Sequence, residues 1–218
     1  MEFFVIFNLD SFAALVYNNN MEYKVITVSR QFGSGGRTIG REVANKLGIP
    51  CYDQELIEKV ASSSGFAKEY VESNGEYFAH KSWLGRAFDG SSRFEGLNNQ
   101  DKIWIEQRKA VLDVAASPCV IIGRCADYIL KDRDDVLKVF IHADDASRAE
   151  RIVKVYGEKS DKPEKRLKDK DKRRAAYYKN YTETEWGVAA NYHVALDSGK
   201  LGLETCVDIL VKLYGEKI

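Results

Sequence analysis

The sequence predicts a doubly wound α/β domain built on a parallel sheet. Short, β-branched apolar runs, typical of buried parallel strands, alternate along the chain with amphipathic helical patterns. The first apolar run, residues 23–28, leads into a glycine-rich stretch at 31–38 and then into a helical pattern. A strand, a glycine loop, a helix and a second strand in this order are typical of the beginning of a doubly wound domain.

The glycine-rich stretch is a candidate phosphate-binding loop. Glycines allow backbone N–H groups to turn toward an anion, and the following helix presents its positive N-terminal end to the same place. The stretch matches G-x-x-x-x-G-K-[ST] in part, because Gly36 and Thr38 fit while Arg37 stands at the lysine position and Gln31 at the first glycine position. Arg37 keeps the positive charge and can bind two phosphate oxygens. The alternative is a glycine turn that only connects strand to helix.

A second strand and helix follow the loop. Gly48 and Pro50 are expected to end the first helix, residues 51–52 form a brief strand, and Asp53 is placed to cap the next helix. The helical pattern then weakens over residues 64–99, where glycines separate short amphipathic pieces. We interpret this stretch as an insertion after the second strand, which covers the substrate or binds a partner.

The third strand carries two candidate site residues at its end. Residues 119–123 form an apolar run that ends in Gly123 and Arg124, with Asp127 one helical turn further on. Ligand sites in open parallel sheets lie beyond the carboxyl ends of the strands, so Arg124 and Asp127 are expected beside the glycine loop. The alternative is a surface ion pair between these two side chains.

Two more strands and a charged segment complete the pattern. Residues 136–141 form the fourth strand, and the helix after it carries Arg148 and Arg151 one turn apart. Residues 157–180 are highly charged, and we interpret them as a mobile helical hairpin or lid over anionic ligands. Asp171 and Arg174 share a face of this segment, although a solvated charged helix without a ligand role is the alternative for most of its lysines. Residues 192–197 form the fifth strand, and an amphipathic helix follows.

The composition excludes several classes of protein. The 33 basic and 33 acidic side chains balance, so no global field attracts nucleic acid or an acidic membrane surface. No apolar run reaches the ~18 residues that a membrane span needs. Four cysteines at unrelated spacings argue against a metal knuckle or a disulfide framework. We therefore expect reduced thiols in a cytoplasmic protein without nucleic-acid or membrane partners.

The first twenty residues differ from the rest of the chain. Residues 1–20 are apolar and aromatic, but they have no basic start and no small-residue cleavage site, so a secretory signal is not expected. We interpret them as an N-terminal extension that is either disordered or the product of a non-native start. The single domain is expected to span residues 21–218.

Five blocks of the sequence, in order, resemble the cytidylate kinase-like proteins. These blocks are residues 26–40, 49–53, 120–127, 171–178 and 196–199, and the resemblance spans about residues 23–214. It implies the nucleoside monophosphate kinase fold, a P-loop kinase with a five-stranded parallel sheet and helices on both faces. It also implies a helical monophosphate-binding insertion at 64–99 and a charged lid at 157–180.

On the donor side, the resemblance implies a cradle for the phosphates of ATP in the glycine loop. The expected cradle residues are Gly33, Ser34, Gly35, Gly36, Arg37 and Thr38. Arg148 or Arg151 resembles the arginine that packs against the donor base. Asp171 and Arg174 match the aspartate and the arginine of the lid and, together with Arg37, are the expected catalytic residues.

On the acceptor side, Arg124 resembles the arginine that holds the acceptor monophosphate. Asp53 and Asp127 are expected to contact the acceptor, and Thr38 and Asp127 to position Mg²⁺. The implied reaction moves the γ-phosphoryl group of ATP to a nucleoside monophosphate, with CMP or dCMP favoured as small-molecule substrates. Two alternatives stay open, a P-loop kinase of another small acceptor and a nucleotide-binding regulatory protein with little turnover.

Overall fold

A five-stranded sheet forms the centre of the computed structural model, which describes residues 23–66, 68, 99–157 and 162–215. The strands are β1 (Val25–Arg30), β2 (Cys51–Tyr52), β3 (Cys119–Ile122), β4 (Val136–His142) and β5 (Val194–Asp197). They lie in the order β2-β3-β1-β4-β5, and every neighbouring pair is parallel. The predicted parallel α/β fold is confirmed. The N-terminal extension at 1–20 and the interior of the 64–99 insertion lie outside the described residues.

Helices connect the strands. They are α1 (Gly36–Leu47), α2 (Gln54–Ser64), α3 (Asn99–Val114), α4 (Ala126–Ile129), α5 (Asp145–Lys154), α6 (Pro163–Thr182), α7 (Ser198–Leu201) and α8 (Leu203–Gly215), and a 3-10 turn spans Ala189–Asn191. Gly48 ends α1 in the left-handed conformation, as predicted, and its N–H bonds to the carbonyls of Ala44 and Asn45.

Side chains of the strands alternate between two apolar cores, one on each face of the sheet. Successive residues of a strand point to opposite faces, so Val25 and Ile121 pack on one side while Ile26 and Val120 pack on the other. Helices α2 and α3 cover the first face, and α1 and α8 cover the second. Helices therefore lie on both faces, which leaves the carboxyl edge of the sheet as the place where a ligand can reach the strand ends.

Strand β1 extends two residues beyond the apolar run that predicted it. The pairing of β1 with β4 continues through Ser29 opposite Phe140 and Arg30 opposite Ile141. All six residues of β1 are buried, including Arg30, whose exposed fraction is only 6%. Strand β1 therefore ends in a buried arginine at the carboxyl edge of the sheet, directly before the glycine loop.

The charged segment forms one long helix where residues 163–182 are described. Leu167, Arg174 and Tyr178 are buried along one stripe of α6, and α6 packs against α5. The prediction of a helical hairpin is wrong for these residues, because the buried stripe continues through the whole length of α6. A lid function stays a prediction, and residues 158–161 lie outside the described chain.

Candidate active site

The glycine loop turns between β1 and α1 through two glycines in the left-handed region. Gly33 has φ 79° and Gly35 has φ 80°, conformations that a side chain disfavours. Gly35 is the N-cap of α1, it offers no side chain to the first N–H groups, and the first turn holds no acidic residue. These N–H groups have no acceptor within the helix and lie at its positive end. The loop therefore has the geometry of an anion site.

Three arginines from α5 and α6 donate hydrogen bonds to backbone carbonyl groups at the end of β1 and in the loop. Arg174 donates to the carbonyl of Arg30 at 3.1 Å, Arg148 to that of Phe32 at 3.1 Å, and Arg151 to that of Gly33 at 2.7 Å. Guanidinium groups make strong, charge-assisted hydrogen bonds of this kind. Protein contacts from two helices therefore support the shape of the loop.

Asp171 completes this support from α6. One carboxylate oxygen accepts from the backbone N–H of Phe32 at 2.7 Å, and the other accepts from Arg148. Arg148 also pairs with Asp145 at 2.6 Å, and its side chain is 5% exposed. The structure therefore brings Asp171 and Arg174 to the loop together with Arg148 and Arg151. Their catalytic and base-binding roles stay predictions, because all four side chains bind the backbone of the loop here.

A strained turn after β3 positions Arg124. Three consecutive residues, Gly123, Arg124 and Cys125, have positive φ angles of 71°, 60° and 53°. Non-glycine residues rarely adopt this region, and such strain costs of order 1–3 kcal/mol each. The side-chain amide of Gln107 donates to the Arg124 carbonyl at 3.1 Å and supports the turn.

The strained turn places the Arg124 side chain in a pocket at the carboxyl edge of the sheet. The pocket is lined by Arg30, Arg124, Arg174, Tyr177 and Trp186, among others. Arg124 is 5% exposed, and within the described chain its Nη1 atom has no hydrogen-bond partner. An unpaired buried donor is costly, so Arg124 is suited to receive an anionic group.

Asp127 lies near this pocket but is engaged by the protein. Its carboxylate accepts from the Tyr178 hydroxyl at 2.8 Å, and only 4% of the residue is exposed. Burial raises the pKa of Asp127, an effect that the hydrogen bond from Tyr178 opposes. The alternative of a surface ion pair between Arg124 and Asp127 is wrong, because both residues are buried.

Arg37 points to Asp53 at the start of α2. Its Nε atom lies 2.8 Å from the Asp53 carboxylate, and Arg41 approaches the same carboxylate at 3.3 Å. Asp53 is 3% exposed and stands at the N-cap position, but its side chain accepts no bond from the helix. The capping prediction is therefore wrong, since two guanidinium groups offer this buried carboxylate stronger bonds than backbone N–H groups. The predicted roles of Arg37 and Asp53 toward substrates stay predictions.

The residues predicted to position Mg²⁺ differ in their availability. Thr38 is exposed in the first turn of α1, whereas Asp127 is bound by Tyr178. In the described ranges, no group of three or more His, Cys, Asp or Glu side chains could hold a metal ion. Mg²⁺ in phosphoryl-transfer sites keeps several waters and binds substrate phosphates, so one protein oxygen such as that of Thr38 fits this chemistry.

Arg30 and Trp186 line the pocket but were not among the residues that the sequence predicted for the site. Arg30 carried a usable signal, since it directly precedes the glycine loop at the end of a buried strand. Trp186 donates to the Ser29 hydroxyl at 3.1 Å across 157 residues of sequence. No local pattern indicates a contact over that separation.

A family model covers the part of the chain that carries this site. A model of the cytidylate kinase-like family matches residues 25–200, which contain β1, the loop, the pocket arginines and α6. The chain belongs to the cytidylate kinase-like family. It is 28% identical over 192 residues to a protein named cytidylate kinase from Archaeoglobus fulgidus. The alignment covers 86% of this chain and 92% of that protein. The family assigns the chain to the kinase-type, nucleotide-binding phosphotransferases.

Solved structures agree on the fold of this cytidylate kinase-like protein. An uncharacterized protein from Eubacterium ventriosum superposes with a TM-score of 0.65 at 25% identity, covering 87% of this chain and 97% of the other. A shikimate kinase from Acinetobacter baumannii in complex with shikimate superposes with a TM-score of 0.51 at 15% identity, covering 88% and 93%. The second likeness shows the fold alone. None of the helices that the structure describes has the length and apolar character needed to cross a membrane.

Proposed function

We propose that this protein transfers the γ-phosphoryl group of ATP to a nucleoside monophosphate, with CMP or dCMP as the favoured acceptor. The observation that carries the proposal is the uncapped N-terminus of α1, which opens next to a pocket with three buried arginines, Arg30, Arg124 and Arg174. Phosphoryl transfer requires two anionic substrates in line and neutralisation of the charge on the transferred group. The loop is suited to bind one of these substrates and the pocket the other, and both lie at one edge of the sheet.

On the donor side, the phosphates of ATP bind the N–H groups at the start of α1, around Gly35 and Gly36. The prebuilt shape of the loop supports this assignment, because preorganised donors need no rearrangement during the reaction. Thr38 would contribute a hydroxyl oxygen to a bound Mg²⁺, which would supply further neutralisation of the phosphate charge. Arg37 would contact the donor only after leaving Asp53, to which it is bound at 2.8 Å.

On the acceptor side, Arg124 binds the monophosphate of the acceptor. Its buried Nη1 atom has no hydrogen-bond partner among the residues that the structure describes, and this supports the role, because an incoming phosphate oxygen would satisfy the donor. The relatives named cytidylate kinase, which are 28% identical to this chain, support a nucleotide kinase, and the choice of a cytosine nucleotide as acceptor is our proposal.

An acceptor screen tests the proposal. ADP release from ATP and Mg²⁺ would be measured with CMP, dCMP, UMP, AMP and shikimate as acceptors, with product formation followed by chromatography. We expect the highest kcat/KM with CMP or dCMP. Transfer to shikimate or to another non-nucleotide, without transfer to CMP, would contradict the proposal, and ATP binding without transfer to any acceptor would favour the regulatory alternative.

Arg124 variants test the acceptor assignment. In Arg124→Ala the KM for the acceptor should rise by about tenfold to a hundredfold, since a hydrogen bond to a charged group contributes about 1.5–3 kcal/mol. The affinity for ATP should stay within about twofold of the wild-type value. Lys46→Ala is the matched control, because Lys46 pairs with Asp208 on the exposed side of α1. An unchanged acceptor KM in Arg124→Ala would contradict the assignment.

A further inference from the structure

Position 36 carries a glycine for a different reason from positions 33 and 35 of the loop. Gly33 and Gly35 have positive φ angles, whereas Gly36 is the first residue of α1 and is not among the residues with positive φ. A Cβ atom at Gly36 would lie 2.5 Å from the Cβ and 3.0 Å from the Cγ of Arg30. Position 36 therefore lacks a side chain because the aliphatic stem of Arg30 occupies that space.

This contact changes how the loop aligns with the phosphate-binding motif. The motif G-x-x-x-x-G-K-[ST] requires a glycine directly before its lysine. If the left-handed Gly35 is that glycine, Gly36 falls at the lysine position and Arg30 at the first glycine position. The alignment is then shifted by one residue from the one that places Arg37 at the lysine position.

In this alignment the first glycine position and the lysine position of the motif have exchanged their properties. Arg37 falls at the Ser/Thr position, and Thr38 lies one residue beyond the motif. The position that normally carries the lysine is a glycine, and the position that is normally a glycine carries an arginine. Arg30 is 6% exposed and lines the pocket with Arg124 and Arg174. Arg37 is half-exposed, and its guanidinium is bound to Asp53. Burial and position at the sheet edge both favour Arg30 over Arg37 as the cation of the loop.

We propose that Arg30 contacts the β- and γ-phosphates of the donor nucleotide and supplies the positive charge that the motif normally draws from its lysine. This inference rests on the proposed phosphotransferase function. In the transfer, the bond between the γ-phosphorus and the bridging oxygen breaks while a bond from an acceptor phosphate oxygen forms. The electron pair stays on the β-phosphate of ADP, and Arg30 keeps its proton and neutralises the oxygens throughout.

Charge variants of Arg30 test its contact with the donor. Arg30→Met keeps most of the aliphatic stem but removes the charge, whereas Arg30→Lys keeps the charge. Calorimetry with a non-hydrolysable ATP analogue should show about tenfold to a hundredfold weaker binding in Arg30→Met, with Arg30→Lys between it and the wild type. The kcat for CMP should fall by about 10²-fold or more in Arg30→Met. Lys46→Ala should match the wild type in both measurements.

A double variant tests the exchange of the two positions. Gly36→Lys alone should bind the analogue poorly, because its Cβ collides with Arg30. Arg30→Gly alone should also bind poorly, because it lacks the cation. Arg30→Gly combined with Gly36→Lys frees the space and returns a lysine to the motif, so its affinity should exceed that of Arg30→Gly by tenfold or more. The next nearest atom, the Cβ of Ile141 at 3.2 Å, needs to move by only a few tenths of an ångström.

The outcomes separate this inference from the proposed function. Binding and turnover of Arg30→Met within twofold of the wild type would overturn the inference, as would a folded double variant that binds no better than Arg30→Gly. Thermal unfolding of each variant verifies the fold. If Arg30→Gly does not fold, the comparison of Arg30→Met with Arg30→Lys, which preserves the stem and the charge, still tests the contact. If the wild type binds the analogue but transfers to no acceptor, the proposed function fails while the binding measurements still decide the role of Arg30. If the wild type does not bind the analogue, both fail.

Discussion

The hydroxyl of Tyr178 donates a hydrogen bond to the carboxylate of Asp127 across 2.8 Å, and both residues are buried. This bond joins α6 to α4, directly after the strained turn that carries Arg124. Burial raises the pKa values of both Asp127 and Tyr178. The pair therefore anchors the charged helix to the end of β3, where the acceptor is proposed to bind.

Tyr178→Phe should destabilise the fold by about 1–3 kcal/mol, because a buried carboxylate loses its hydroxyl donor. Urea unfolding followed by circular dichroism would measure the change. In an Asp127→Asn background the same substitution should cost less, since an amide leaves a smaller penalty than a carboxylate. Equal costs in the two backgrounds would show that the bond between Tyr178 and Asp127 contributes little.

Arg37 and Arg41 should act non-additively through Asp53. Each single alanine variant should lose at most about 1 kcal/mol, because both guanidinium groups are half-exposed and the other one still pairs with Asp53. The double variant leaves a buried carboxylate unpaired and should lose about 3 kcal/mol. Denaturant unfolding of the four proteins in a double-mutant cycle measures the coupling. Additive losses would contradict a shared role of these arginines at Asp53.

Gly33→Ala should destabilise more than Gly48→Ala. Both glycines have positive φ, which costs a side chain about 1–2 kcal/mol. A Cβ at Gly33 would also lie 3.0 Å from the Arg148 carbonyl oxygen and from Ile152 Cγ2. A Cβ at Gly48 would have no heavy atom of the described residues within 4 Å. Overpacking of this kind adds about 1–3 kcal/mol. Thermal unfolding measures the loss of stability in the two variants. Equal losses would show that the loop accommodates the extra methyl group without overpacking.

Asp144 should stabilise α5 in a pH-dependent way. Its carboxylate accepts from the backbone N–H of Ser147 at 2.9 Å and from the Ser147 hydroxyl at 2.7 Å, and these bonds lower the pKa of Asp144. A carboxyl whose pKa is lower in the folded state stabilises above the unfolded pKa of about 3.9, and this contribution disappears as the pH falls through the folded pKa. The Tm difference between the wild type and Asp144→Ala should be largest above about pH 4 and should shrink below it.

The sequence by itself determined the main architecture. Buried parallel strands are β-branched apolar runs, and amphipathic helices repeat at 3.6 residues, so local patterns predicted the five strands and the position of the glycine loop. Local signals also fixed two helix boundaries, because a left-handed glycine ends α1 and Asp144 caps α5. Carboxyl ends of parallel strands share one edge, so the sequence alone predicted that Arg124 lies beside the loop.

Only the tertiary structure decided which side chain each charged residue meets. The bond from the Phe32 N–H to Asp171 joins residues 139 positions apart, and no local pattern encodes such a pairing. Successive residues of a helix point about 100° apart. Arg37 therefore points to Asp53, while its neighbour Gly36 faces Arg30. The sequence determined that a glycine loop stands at this edge, and only the tertiary structure showed that the stem of Arg30 packs against Gly36.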